Sequence, residues 1–168
     1  LNEIDKSILP KGSDFIKKKL SSRDNTNEIT INNWLKNSDR EIILKLDIEG
    51  DEYQVLSEIS EENLNKVRIL IIEFHDLRNL RSSFFLKFFE NLIQKLEIFF
   101  YVCHMHINNT SGIKKIGKLK IPDMIEVTFI KKNRVKNFIK EFSKLPHHLD
   151  AKTNLNKKEI FIDKHWYE

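Results

Sequence analysis

Glu41-Ile42-Ile43-Leu44-Lys45-Leu46-Asp47-Ile48-Glu49-Gly50-Asp51-Glu52, with Val67-Arg68-Ile69-Leu70-Ile71-Ile72-Glu73-Phe74-His75-Asp76 a short helix-length later, decides how this chain folds. Ile42–Leu46 and Val67–Phe74 are short runs dominated by Ile, Leu and Val and bounded by polar residues. Such runs mark strands covered on both faces, as in a parallel sheet. Asp51 to Ile59 between them reads as a short helix, so the stretch is a strand–helix–strand unit. Its polar residues fall just past the strands. The first run ends in Asp47, Glu49, Asp51 and Glu52 around Gly50, the second in Glu73, His75 and Asp76. Ligands of open α/β sheets sit beyond the carboxyl ends of the strands, so two adjacent strands deliver carboxylates and an imidazole to one edge.

Outward from this unit the pattern continues. Ile31, Trp34 and Leu35 share one side of a short helix that Thr30 can cap. Leu80, Phe84, Phe85, Phe88, Phe89, Leu92, Ile93 and Leu96 follow helical spacing and predict a long helix with a wide apolar stripe. Ile98–Ile107 reads as a strand, and the segment from Asn108 to Pro122 as a loop with a basic stretch. Met124–Ile130 alternates and predicts a half-exposed antiparallel or edge strand. Val135, Phe138, Ile139 and Phe142 suggest one more amphipathic helix. The segments before Asn27 and after Pro146 show no decisive period.

The 168 residues carry 40% apolar side chains and twelve Phe, enough for one domain with a real core, with 146–168 as a tail. The formal net charge is +4, but the lysines are scattered among acidic residues. That is a solvated surface rather than the concentrated basic stripe of a nucleic-acid binder. The single Cys103 excludes an internal disulfide and fits a reducing, cytoplasmic setting. No apolar run approaches the length of a membrane span. Self-association is left open.

Three groups of residues carry chemistry. Asp51 and Glu52 are accounted for by the start of the following helix, whose positive end favours acids. Asp47 and Glu49 lie before the turn, where carboxylates can hold a cation, orient a hydroxyl or take a proton. Glu73 follows an apolar run and needs a partner if buried. His75 is a candidate general base, because imidazole titrates near neutrality. His104, His106 and Asn108 share one face of their strand and can bind a polar substrate. His104 and His106 can also chelate a metal, with Asp47, Glu49, Glu73 or His75 as the further ligands, although no recognised metal spacing is present.

Leu44-Lys45-Leu46-Asp47-Ile48-Glu49-Gly50-Asp51-Glu52-Tyr53-Gln54-Val55-Leu56, with Ile71-Ile72-Glu73-Phe74-His75 one helix later, resembles the FkbM-type S-adenosylmethionine-dependent methyltransferases. Their hallmark is a K-hydrophobic-D-hydrophobic-E-G-x-E segment ending the fourth strand of a Rossmann-like sheet, followed by a fifth strand ending in Glu. The His104-to-Asn109 stretch and the strand Ile125–Ile130 are similar to the sixth and seventh strands of a bacterial subgroup. The resemblance covers about 30–132. It implies an α/β fold: a partial class I methyltransferase sheet, parallel with a C-terminal antiparallel strand and helices on its faces. It also implies S-adenosylmethionine as cofactor and methyl transfer to a hydroxyl of a sugar, glycan or natural-product precursor.

On that reading Asp47, Glu49 and His75 are the catalytic residues, with Glu73, His104, His106 and Asn108 on the substrate. No metal is called for. The chain departs from the family in its cofactor cradle, because Gly12, Gly50, Gly112 and Gly117 form no G-x-G turn. The chain begins with Leu, and the expectation is the C-terminal part of a longer methyltransferase domain. Its cofactor-binding half would then precede Leu1, and the 168 residues alone would neither hold the cofactor tightly nor turn over. The second reading is a small metal-dependent hydrolase using Asp47, Glu73, His75, His104 and His106. A third is a non-enzymatic domain that pairs through an exposed strand edge.

Overall fold

The computed structural model describes residues 9–117, 119–137, 145–161 and 166. In chain order the elements are β1 (Lys19–Leu20), β2 (Glu28–Ile29), α1 (Ile31–Leu35), β3 (Ile42–Leu46), α2 (Glu52–Glu58), α3 (Glu61–Lys66), β4 (Val67–Phe74), α4 (Ser83–Phe99), β5 (Phe100–Ile107), β6 (Ile113–Ile116), β7 (Leu119–Pro122) and β8 (Ile125–Lys131). The principal sheet has the order β3-β4-β8-β5. β3 and β4 run parallel, and β8 is antiparallel to both of its neighbours. β3, β4 and β5 therefore all point their carboxyl ends at the same edge. The expected mixed α/β sheet with a C-terminal antiparallel strand is present.

One face of this sheet is the core. Leu46, Ile72, Val127 and Met105 lie in register across the four strands and are all buried. α4 packs here through Leu92 and Leu96, and Phe89 meets Phe74 edge-on with ring centroids 5.4 Å apart. The opposite face is more polar. There Lys45, Glu73, Glu126, Thr128, His104 and His106 alternate with the core residues.

Several elements differ from the sequence expectations. The long helix starts at Ser83, because Ser82 caps it by accepting from the Phe85 amide, while Leu77–Arg81 forms a 3-10 turn. Its apolar stripe is only partly core: Phe84 is 84% exposed. β8 is not an edge strand. It sits inside the sheet, and its half-polar alternation comes from the polar face it shares with β4 and β5. The presumed loop before Pro122 contains the β6–β7 hairpin. The helix expected around Phe138, Ile139 and Phe142 falls on residues outside those described.

Thr30 caps α1 as its position suggests, accepting from the Asn33 amide. Asp24 in turn accepts from the Thr30 amide and hydroxyl and from Asn33 Nδ2. These donors hold its carboxyl below the usual range, the Thr30 amide foremost.

Candidate functional site

The turn after β3 is built around Glu52. This side chain is fully buried, and its carboxylate folds back over the turn instead of facing solvent. It accepts from the Ile48 amide at 2.8 Å and from the Gly50 amide at 3.0 Å. The turn closes by two successive residues with positive φ, Glu49 at 56° and Gly50 at 106°. Gly50 adopts this without strain, whereas Glu49 bears a cost of about 1–2 kcal/mol. The third donor to Glu52 is His75 Nδ1 at 3.0 Å. A carboxylate already accepting two amides only accepts, so Nδ1 carries the hydrogen of this bond, and in the neutral imidazole Nε2 is the acceptor.

His75 is 7% exposed and is fixed from a second side. The Tyr53 hydroxyl donates to its backbone carbonyl. That phenol lies among Phe74, Phe85 and Phe89, and burial pushes its pKa well above the ordinary value. Asp76, the next residue, also has positive φ, at 54°, and pairs with Arg78, which reaches on to Asp123 at 2.8 Å. Both strand ends thus leave the sheet through a left-handed non-glycine residue, the kind of local strain that collects at functional sites.

Held this way, Nε2 of His75 lies 4.0 Å from Asp47 Oδ1 and 3.5 Å from Glu49 Oε2. Asp47 and Glu49 are exposed, so the trio opens to solvent on one side. Asp47 also faces a cavity of about 420 Å3 on the polar side of the sheet. Lys45, Glu73, His106, Asn108 and Glu126 line it with the tail around Asp150. Glu73 and Glu126 are direct partners across β4 and β8, and Glu126 is opposite His106 across β8 and β5. Like charges directly opposite are unfavourable. Asn108 Nδ2 donates to Glu73 at 2.6 Å, and Lys45 lies 3.6 Å from Glu126 and 3.9 Å from Asp47.

The expected site residues therefore divide. Asp47, Glu49 and His75 come together; Asp47, Glu73, His106 and Asn108 share the cavity; Asp47 is common to both. His104 stands apart from both groups, its Nε2 bonded to Asp150 at 2.8 Å. His106 Nε2 reaches Glu159 at 3.2 Å. The five-residue metal set of the hydrolase reading is thus not assembled, since both of these imidazoles are engaged by tail carboxylates.

Asp51 and Glu52 are not merely residues of the helix start. Asp51 makes no side-chain cap and pairs with Lys19 at 2.8 Å, while Glu52 is the buried anchor of the site. The E-G-x-E spacing contained Glu52, but its backward direction comes from the left-handed turn, which composition does not display. Lys45, Glu126, Asp150 and Glu159 also belong to the site's surroundings, and nothing in their local sequence marks them. They are ordinary surface charges until the sheet order and the tail bring them in.

A second cleft of about 330 Å3, lined by Phe15, Ile16, Leu20, Ile29 and Trp34 with Asp14 and Lys18, is mainly apolar, and the neighbouring Lys19 pairs with Asp51 of the β3–α2 turn at 2.8 Å. Neither does a glycine cradle for a nucleotide cofactor form among the described residues. A Cβ at Gly12, Gly112 or Gly117 would meet open space, and Gly50 serves the β3–α2 turn.

No curated protein and no solved structure matches the chain. The sequence model of the Methyltransferase FkbM domain matches residues 3–104, a span that begins well before β3 and ends within β5. It contains the Glu52-centred turn and His75, and by this match the chain belongs to the FkbM methyltransferase domain family.

Proposed function

We propose that this chain supplies the acceptor side of an S-adenosylmethionine-dependent O-methyltransferase, acting on a hydroxyl of a sugar, glycan or natural-product precursor. The observation that carries this reading is the convergence of Asp47, Glu49 and His75 beside a polar cavity at the carboxyl ends of β3, β4 and β5. Methylating an alcohol requires the oxygen to be positioned and its proton to be taken. His75 is suited to the second task, because Glu52 occupies Nδ1 and leaves Nε2 as the acceptor. Asp47 lies between the imidazole and the cavity and is suited to orienting the hydroxyl. Glu73, His106 and Asn108, with Lys45, offer a mixture of donors and acceptors that matches a polyhydroxylated molecule. His104 holds Asp150 of the tail segment that lines this cavity and is not assigned to the acceptor.

The methyl donor is assigned to residues outside these 168, in keeping with the glycine positions. The test is transfer of isotopic label from S-adenosylmethionine to a panel of sugars and polyols, using protein extended by its preceding coding sequence. Label recovered in an O-methyl ether supports the reading. Absence of transfer to any hydroxyl, with S-adenosylhomocysteine bound to the same protein, contradicts the hydroxyl assignment.

A further inference from the structure

We propose that Asp47, Glu49 and His75 form a divalent-cation site, with Glu52 as the carboxylate that orients the imidazole from behind. This goes beyond methyl transfer and revises the expectation of a metal-free site. It also differs from the hydrolase set, because it uses neither His104, His106 nor Glu73.

One oxygen of each carboxylate and Nε2 of the imidazole all lie within 4.8 Å of one another. Their separations of 3.5 and 4.0 Å from Nε2 are longer than hydrogen bonds. The nitrogen is thus within ion-pair reach of both oxygens and hydrogen-bonded to neither. His75 is more than nine-tenths buried, and its other nitrogen is spoken for by Glu52 at 3.0 Å. An imidazole backed by a carboxylate, with its remaining lone pair presented to further ligands, is the usual arrangement behind a metal-bound histidine.

The charges point the same way. Two carboxylates are turned toward one point, and among the described residues the cation nearest to either is Lys45, 3.9 Å from the other oxygen of Asp47. Among the described residues Glu49 has no ion pair apart from the contact with His75. An anion is excluded by these oxygens, whereas a divalent ion neutralises both. One nitrogen and two carboxylate oxygens suit Mn2+, Fe2+ or Zn2+ better than the all-oxygen preference of Mg2+ or Ca2+. Three protein ligands leave positions open on the solvent and cavity side. Bonds of about 2.0–2.2 Å require the oxygens to draw inward, which the exposed Glu49 side chain can do.

What the ion does for turnover rests on the hydroxyl-methylation reading. An alcohol oxygen bound to it gives its proton to water more readily, and His75 then serves as a ligand instead of the base. The site itself does not depend on that chemistry.

The experiment is Mn2+ titration of the full chain, following free Mn2+ by electron paramagnetic resonance. The expected result is one ion per chain, with a nitrogen coupling to the bound Mn2+ that His75→Ala abolishes. Glu49→Gln, at an exposed side chain that leaves folding intact, should weaken binding at least about 10-fold, and Glu52→Gln by about 10- to 100-fold. Glu90→Gln, on the exposed side of α4, should change nothing. Substoichiometric binding by wild type, or equal affinity in wild type and Glu49→Gln, overturns the site. That result would leave His75 as the proton acceptor and the methyl-transfer reading in place.

Discussion

Glu52 contributes more to the site's geometry than any of the residues that face solvent there. Its carboxylate replaces water for two backbone amides and one imidazole N–H in a fully buried position. Hydrogen bonds to a buried charge are each worth about 1.5–3 kcal/mol, and losing one partner leaves the others poorly satisfied. Glu52→Gln keeps the shape but has one accepting oxygen, so at least one donor is left unpaired. Chemical denaturation should show a loss of about 2–3 kcal/mol, and no loss would mean the carboxylate is not the anchor. Asp47, Glu49 and His75 were legible as candidates because each stands at the end of an apolar run. Glu52 was not, because an acid in the first turn of a helix has a sufficient local explanation in the helix dipole.

Among the elements, strands were read most faithfully. The bounds of β3 and β4 are those of the apolar runs, since a strand buried on one face and half-covered on the other tolerates few charges. α3 and the β6–β7 hairpin escaped. α3 is six residues long and carries few apolar side chains, so no period could form. The ends of such short helices depend on partners elsewhere. Lys95, from α4, donates to the carbonyls of Leu56, Ser57 and Ile59 at 3.1, 2.8 and 2.7 Å, closing the end of α2. Burial lowers the affinity of this amine for its proton, yet three carbonyls hold it in place. Lys95→Met retains the stem and removes the donors. It should cost about 1–2 kcal/mol by thermal melting, with faster amide exchange confined first to 55–60. A melting temperature equal to wild type would show that the contact is incidental.

For the whole molecule, the order β3-β4-β8-β5 is what the chain does not announce locally. Inserting the last strand between two earlier ones joins β4 to a strand more than fifty positions later, and only this places Glu126 between Glu73 and His106. The tail adds a second long-range layer. Asn109, 2% exposed, accepts from the Asn154 amide at 2.8 Å and donates to the Asn154 carbonyl at 2.9 Å. Asp150 and Glu159 engage the two β5 histidines. Asn109→Ala should therefore raise hydrogen exchange across 147–161 while β4 and β8 stay protected; unchanged exchange would mean the tail is anchored elsewhere. All of these arrangements serve a single convergence at the sheet edge. The measurement that tests it most directly is methyl transfer by the protein used in the labelling experiment, carrying Asp47→Asn or His75→Ala. Loss of a positioned base or orienting carboxylate should lower turnover by about 100-fold or more in each, with folding intact by circular dichroism. Wild-type rates in both variants would contradict the account.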